Sequence, residues 1–146
     1  MKLVETGKTY KTAELLKGMV EISADHFKDP MRGGISPLEK ATVFSFGRQC
    51  GHTEAIKEYV SQSEEEMLVV CHNLYAANDM NNELGFNAAV SIGSIVKLER
   101  FRGCTPNPVK IIFDSCTIEQ IKLFISEAML HMAYDIKAIT IVQPVF

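Results

Sequence analysis

The stretch Thr42-Val43-Phe44-Ser45-Phe46-Gly47-Arg48-Gln49-Cys50-Gly51-His52-Thr53 decides how the rest of the chain is read. A β-branched and aromatic run enters a turn bracketed by Gly47 and Gly51. Beyond Thr53, the residues Ala55, Ile56, Tyr59 and Val60 form the apolar stripe of a helix over 53–61. Strand, glycine-bracketed loop and helix follow in the order of a phosphate-binding unit. The plainer reading of 47–53 is a tight strand-to-helix turn with glycines for backbone shape.

Downstream, Met67-Leu68-Val69-Val70-Cys71 is a continuous apolar run of strand length, the pattern of a strand buried on both faces of a parallel sheet. Between these elements, Glu64-Glu65-Glu66 reads as a solvated turn. The asparagine-rich segment 73–87 reads as a surface connection holding a short helix over 74–83, ended by Gly85. Residues 88–92 suggest a third strand, and 94–101 fit neither period. A loop over 102–108 leads to an apolar strand, 109–113, ending in Asp114. Thr117-x-x-Gln120 can then cap a long helix striped by Ile118, Ile121, Phe124, Ile125, Ala128, Met129 and Met132. A last strand, 138–142, stops at Gln143-Pro144.

Upstream, apolar residues spaced three and four apart over 12–27 predict an amphipathic helix after a short polar start. Asp29-Pro30 and Gly33-Gly34 break it. Ser36-Pro37-Leu38-Glu39 then predicts a capped helical turn before the strand. The fold class that follows is α/β: three layers, with a mostly parallel sheet of about five strands and helices on both faces. The chain reads as a single domain, 1–146, with residues 1–40 as an N-terminal helical addition.

A hydrophobic content of 47% and a charged content of 23% are those of a globular chain. The net charge of −3 argues against a protein built to coat nucleic acid, and Lys97, Arg100 and Arg102 make only a small basic group. Direct nucleic-acid binding is therefore not indicated. No apolar run approaches the roughly 20 residues of a membrane span, and the first residues do not read as a signal peptide. Cys50, Cys71, Cys104 and Cys116 form no C-x-x-C pair and read as free thiols in a reducing cytoplasm. Cys71-His72 has no second ligand pair at zinc-site spacing, so no structural zinc is expected.

Ligands gather at the carboxyl ends of parallel strands. Here those ends carry the 47–53 loop, His72-Asn73, Asp114-Ser115 and Gln143. Loop N–H groups and a helix N-terminus suit phosphate oxygens. The Thr53 hydroxyl and the Asp114 carboxylate suit Mg2+, directly or through water.

Gly47-Arg48-Gln49-Cys50-Gly51-His52-Thr53 resembles the R-Q-x-G-K-[ST] phosphate loop of phage terminase large-subunit ATPases, relatives of helicases. Arg102-Gly103 and Val109-Lys110-Ile111-Ile112-Phe113-Asp114 are similar to the segment leading into the second nucleotide motif of that family. Ile139 to Pro144 falls where the family has a strand with a polar sensor, here Gln143. The resemblance spans roughly 41–144 and rests on about a dozen motif-like positions. It implies a P-loop fold, ATP with Mg2+, a nucleotide site at Gly47, Arg48, Gln49, Cys50, Gly51, His52 and Thr53, and metal donors Thr53 and Asp114.

The chain departs from that family at two places. His52 stands where the lysine for the β- and γ-phosphates is found, and Ser115 where the water-activating glutamate is found. Histidine is shorter than lysine and carries no permanent charge. Arg48, Glu119 and Gln143 are the remaining candidates for catalytic duty. The expectation is nucleotide binding with impaired or absent hydrolysis, in a phage-linked DNA-packaging or nucleic-acid machine. The alternative is a non-catalytic module that keeps the fold and binds a protein partner or itself.

Overall fold

A computed structural model describes residues 2–32, 36–46, 51–93, 109–131 and 136–144. Helix α1 spans Lys2–Lys28, and two short 3-10 turns follow, Pro30–Arg32 and Pro37–Lys40. Then come β1 (Thr42–Phe46), α2 (His52–Gln62), β2 (Met67–Cys71), α3 (Leu74–Leu84), β3 (Ala89–Ser91), β4 (Val109–Asp114), α4 (Ile118–His131) and β5 (Ile136–Pro144). The strands form one all-parallel sheet in the order β1-β5-β4-β2-β3.

Alternate side chains of the strands feed two separate cores, which makes three layers. On one face Val69, Ile112, Ala138 and Val142 meet Leu16 and Val20 of α1, Ile56 and Val60 of α2, and Ala77 and Met80 of α3. On the other, Val70, Ile111, Phe113, Ile139 and Ile141 meet Ile121, Phe124 and Ile125 of α4. Phe113 and Phe124 pack edge to face with ring centroids 5.6 Å apart. The unbroken apolar runs of β2 and β4 follow from this burial on both sides.

Helix α1 begins ten residues earlier than the periodicity predicts, because Lys2–Lys11 contains no proline and each added residue gains a backbone bond on an existing helix. Its buried Ser23 reaches the sheet. The Ser23 hydroxyl accepts from Ile139 N and donates to Lys40 O, both at 2.9 Å. It thereby serves an N–H of β5 just before the register where β1 begins to pair, Thr42 with Thr140. The Thr42 hydroxyl in turn donates to Met19 O at 2.9 Å.

The caps divide into two outcomes. Thr117 and Gln120 form the expected reciprocal box, with Gln120 N donating to Thr117 Oγ1 and Thr117 N to Gln120 Oε1. Ser36 makes no side-chain cap; its carbonyl accepts from Glu39 N, and the segment is a short 3-10 turn. Asn73 caps α3 through Ala76 N, and Gly85 ends it in the left-handed region at φ 81°. Residues 94–101, which fit neither period, and the loop expected over 102–108, with Lys97, Arg100 and Arg102, lie outside the described residues.

Candidate functional site

The sheet reverses its order of connection between β2 and β4. β2 leads into α3 on one face and β4 into α4 on the other, so their carboxyl ends flank a topological switch point, where open α/β sheets leave a crevice. Helix α2 starts at the same end of the sheet, after β1. Gly51 precedes it in the left-handed region at φ 72°, a conformation that favours glycine, and its carbonyl accepts the first helical bond from Ala55 N. Gly47, Arg48, Gln49 and Cys50 lie outside the described residues.

The sequence candidates that converge here are His52, Thr53 and Asp114. Asp114 is 3% exposed, at the last position of β4. Its Oδ2 accepts from Thr53 Oγ1 at 3.1 Å, a bond that spans the end of β5 because β5 separates β1 from β4. Its Oδ1 accepts from Ser115 Oγ at 3.1 Å and lies 3.4 Å from His52 Nε2. Ser115 Oγ and His52 Nε2 are also 3.4 Å apart. The imidazole keeps 21% of its side-chain surface open to solvent, so the cluster is reachable from outside.

This is not a serine-nucleophile triad. Such a triad needs the carboxylate and the hydroxyl on opposite ring nitrogens, and here both face Nε2. Two hydroxyls and an imidazole instead surround one buried carboxylate.

Ser115 carries a φ of 61° without being glycine. Its N–H donates to Val142 O at 2.9 Å, so the β4–β5 pairing holds the unusual backbone and aims the hydroxyl at Asp114. Sequence reasoning saw Ser115 only as a missing glutamate; nothing in an Asp-Ser pair signals a left-handed turn. Glu119 is exposed in the first turn of α4. Gln143 is half-buried, paired with Ser45, and shares the pleat of Ile139 and Ile141 on the α4 side, whereas Asp114 shares that of Ile112 on the α2 side.

Two thiols sit beneath the cluster. Burial, then the charge of Asp114, pushes both Cys71 and Cys116 up to about 12. Cys116 Sγ also donates to Val70 O at 3.4 Å. Both thiols are free.

Behind the site, the buried Lys57 of α2 is ringed by Glu83 at 2.9 Å, Glu54 at 3.1 Å and Asp79 at 3.5 Å. Burial draws its pKa down, but the hydrogen bonds to Glu83 and Glu54 outweigh that and leave it raised. Lys57 ties α2 to α3, and its role was not read from the sequence, where only the Glu54–Lys57 spacing hints at it.

A separate half-open cleft of ≈ 350 Å³ opens at the opposite end of the sheet, lined by Glu14, Lys17, Glu21, Tyr59, Glu65 and Lys110 among others. Lys110 and Glu65 pair across it, and burial, followed by Glu65 and Glu21, pushes Tyr59 up to about 12. Among the described residues no group of three or more His, Cys, Asp or Glu side chains is placed to hold a metal, and no helix is long and apolar enough to cross a membrane. Compared with protein-family models, curated proteins and solved structures, the chain finds no match.

Proposed function

We propose that this chain is a P-loop-type, ATP-binding protein resembling the ATPase half of phage terminase large subunits, with hydrolysis impaired or lost. The observation that carries the reading is the 3.1 Å bond from Thr53 Oγ1 to Asp114 Oδ2. It joins the start of the helix after the glycine-bracketed loop to the end of an apolar strand 61 positions away. Donor oxygens around an octahedral Mg2+ at about 2.1 Å stand about 3.0 Å apart, so this pair fits one edge of its coordination shell. Thr53 and Asp114 would hold the ion. When bound with ATP, the ion would offset the negative charge of the phosphates.

The residues of the chain divide the remaining work. Backbone N–H groups at the start of α2 meet phosphate oxygens, aided by the positive end of the helix. His52 takes the place of a permanent cation. Ser115 has no carboxylate to activate water, and Glu119 is solvent-exposed, so turnover is slow or absent. Free, buried Cys71 and Cys116 agree with a reducing cytoplasm. The phage-linked setting rests on the resemblance alone. Thr53→Ala and Asp114→Asn should each weaken Mg-ATP binding by at least about tenfold by calorimetry while retaining the far-UV circular dichroism of the fold. Unchanged affinity in both variants contradicts the reading.

A second reading keeps the architecture and gives the chain a protein partner in place of a nucleotide. It is favoured by His52 and Ser115, which replace the lysine and glutamate together and turn towards Asp114. Under it His52→Lys leaves partner binding unchanged.

A further inference from the structure

We infer that the outward face of α1 is a self-association surface, on which a second copy of this chain docks its own α1 antiparallel across a two-fold axis. Helix α1 is apolar on two sides. Leu16, Val20 and Ala24 are buried in the core beneath it. Away from them, Leu15, Gly18, Met19 and Ile22 recur at the three- and four-residue steps that place side chains on one face of a helix. Leu15 is 53% and Ile22 48% exposed, with Gly18 and Met19 partly buried between them. Single exposed apolar residues are ordinary, but a stripe continuous over two turns is the form in which helices dock.

Two features point to a second copy as the occupant. The first is charge. Exposed Lys11 lies one turn before Leu15, and exposed Asp25 one turn after Ile22, so the stripe ends in a cation on one side and an anion on the other. Reversed, it complements itself. About a two-fold axis midway between Gly18 and Met19, Leu15 meets the partner's Ile22 and Lys11 comes beside the partner's Asp25. A parallel pair would set like charges together. Glu14, Lys17 and Glu21 line the cleft on the neighbouring side of the helix, away from the stripe. The second feature is Gly18. Glycine inside a helix costs stability relative to alanine, yet a Cβ built there meets nothing within 4 Å beyond its own turn of helix. The gap lies at the centre of the stripe, where it lets two helices close to the lower end of the roughly 8–10 Å range of interaxial distances. The inference depends on neither functional reading above.

The test is sedimentation equilibrium of the reduced full-length chain without nucleotide, from about 1 μM to about 1 mM. The expected result is a monomer–dimer equilibrium that stops at the dimer, because a two-fold contact closes on itself. Leu15→Glu should weaken the dimer by at least about tenfold, and Gly18→Leu likewise, while both retain the far-UV circular dichroism of the fold. Lys11→Glu and Asp25→Lys should each weaken it several-fold, and the double exchange should return it to the parent affinity, since the pair is then restored with its signs reversed. A monomer at every concentration, which would leave the stripe to a different protein, overturns the assignment. So would growth beyond the dimer, a dimer indifferent to Leu15→Glu or tightened by Gly18→Leu, or a double exchange no tighter than the single ones.

Discussion

Ser115 holds a left-handed backbone, with φ 61°, that costs an L-residue about 1 kcal/mol, and it does so beside a buried carboxylate. Glycine takes that conformation without strain but loses more entropy on folding. Ser115→Gly should therefore leave stability within about 1 kcal/mol of the parent, on the stable side, in urea unfolding. A loss of several kcal/mol would mean that the hydroxyl supports the fold more than the site. The buried thiols give a second expectation. With Cys71 and Cys116 pushed up to about 12, iodoacetamide near pH 8 should label neither in the native protein and both after unfolding, read by mass spectrometry. At this scale the sequence disclosed Thr53, His52 and Asp114 as candidates because strand ends and a helix start are recognisable from residue type. It did not disclose how Ser115 turns, since backbone handedness at a non-glycine residue is set by the β5 partner that its N–H finds.

Helix α3 and strand β3 depend on one side chain. Asn81 donates to Ala89 O and accepts from Ala88 N and Ala89 N, all within 2.9 Å, and so pins the short edge strand to the helix before it. Asn81→Ala strands those backbone groups. It should cost about 2–3 kcal/mol in denaturant unfolding and speed hydrogen exchange at Val90 and Ser91 before the rest of the sheet. An asparagine-rich segment read as a surface connection thus contains the clamp of an edge strand. Composition marks such a stretch as polar, but only the fold decides which asparagine turns inward. The strands β1 and β2 were legible to the residue, because turn signals bound each of them tightly. The start of α1 was not, because Thr6, Gly7 and Thr9 are weak helix formers and do not announce a helix.

Across the whole molecule, the alternation of strand and helix was enough to predict a three-layer, largely parallel sheet, whereas the order β1-β5-β4-β2-β3 was not readable. Periodicity tells which faces are buried but not which strands are neighbours. That order brings Thr53 to Asp114, so the site depends on the α4-side core that holds β4 and β5 in place. Phe124→Ala empties the edge-to-face contact with Phe113 and should cost about 3–5 kcal/mol in urea unfolding.

Alkali should weaken the fold as a whole. Unfolded Cys71 and Cys116 ionise near 9.0 and Tyr59 near 10.0, while the folded chain keeps all three protonated to about 12. The unfolded state then binds fewer protons, so stability is full below pH 9 and declines as pH rises towards 12. The raised Lys57 acts in the same direction above 10.5. Urea midpoints compared at about pH 8 and about pH 11 should show the decline, and equal midpoints would contradict it.

The central claim is that the loop, Thr53 and Asp114 make a working site for magnesium-ATP. Its most direct test is calorimetric titration of ATP into the purified chain with and without Mg2+. The account predicts micromolar binding that requires Mg2+, and no heat at millimolar ATP in either condition would contradict it.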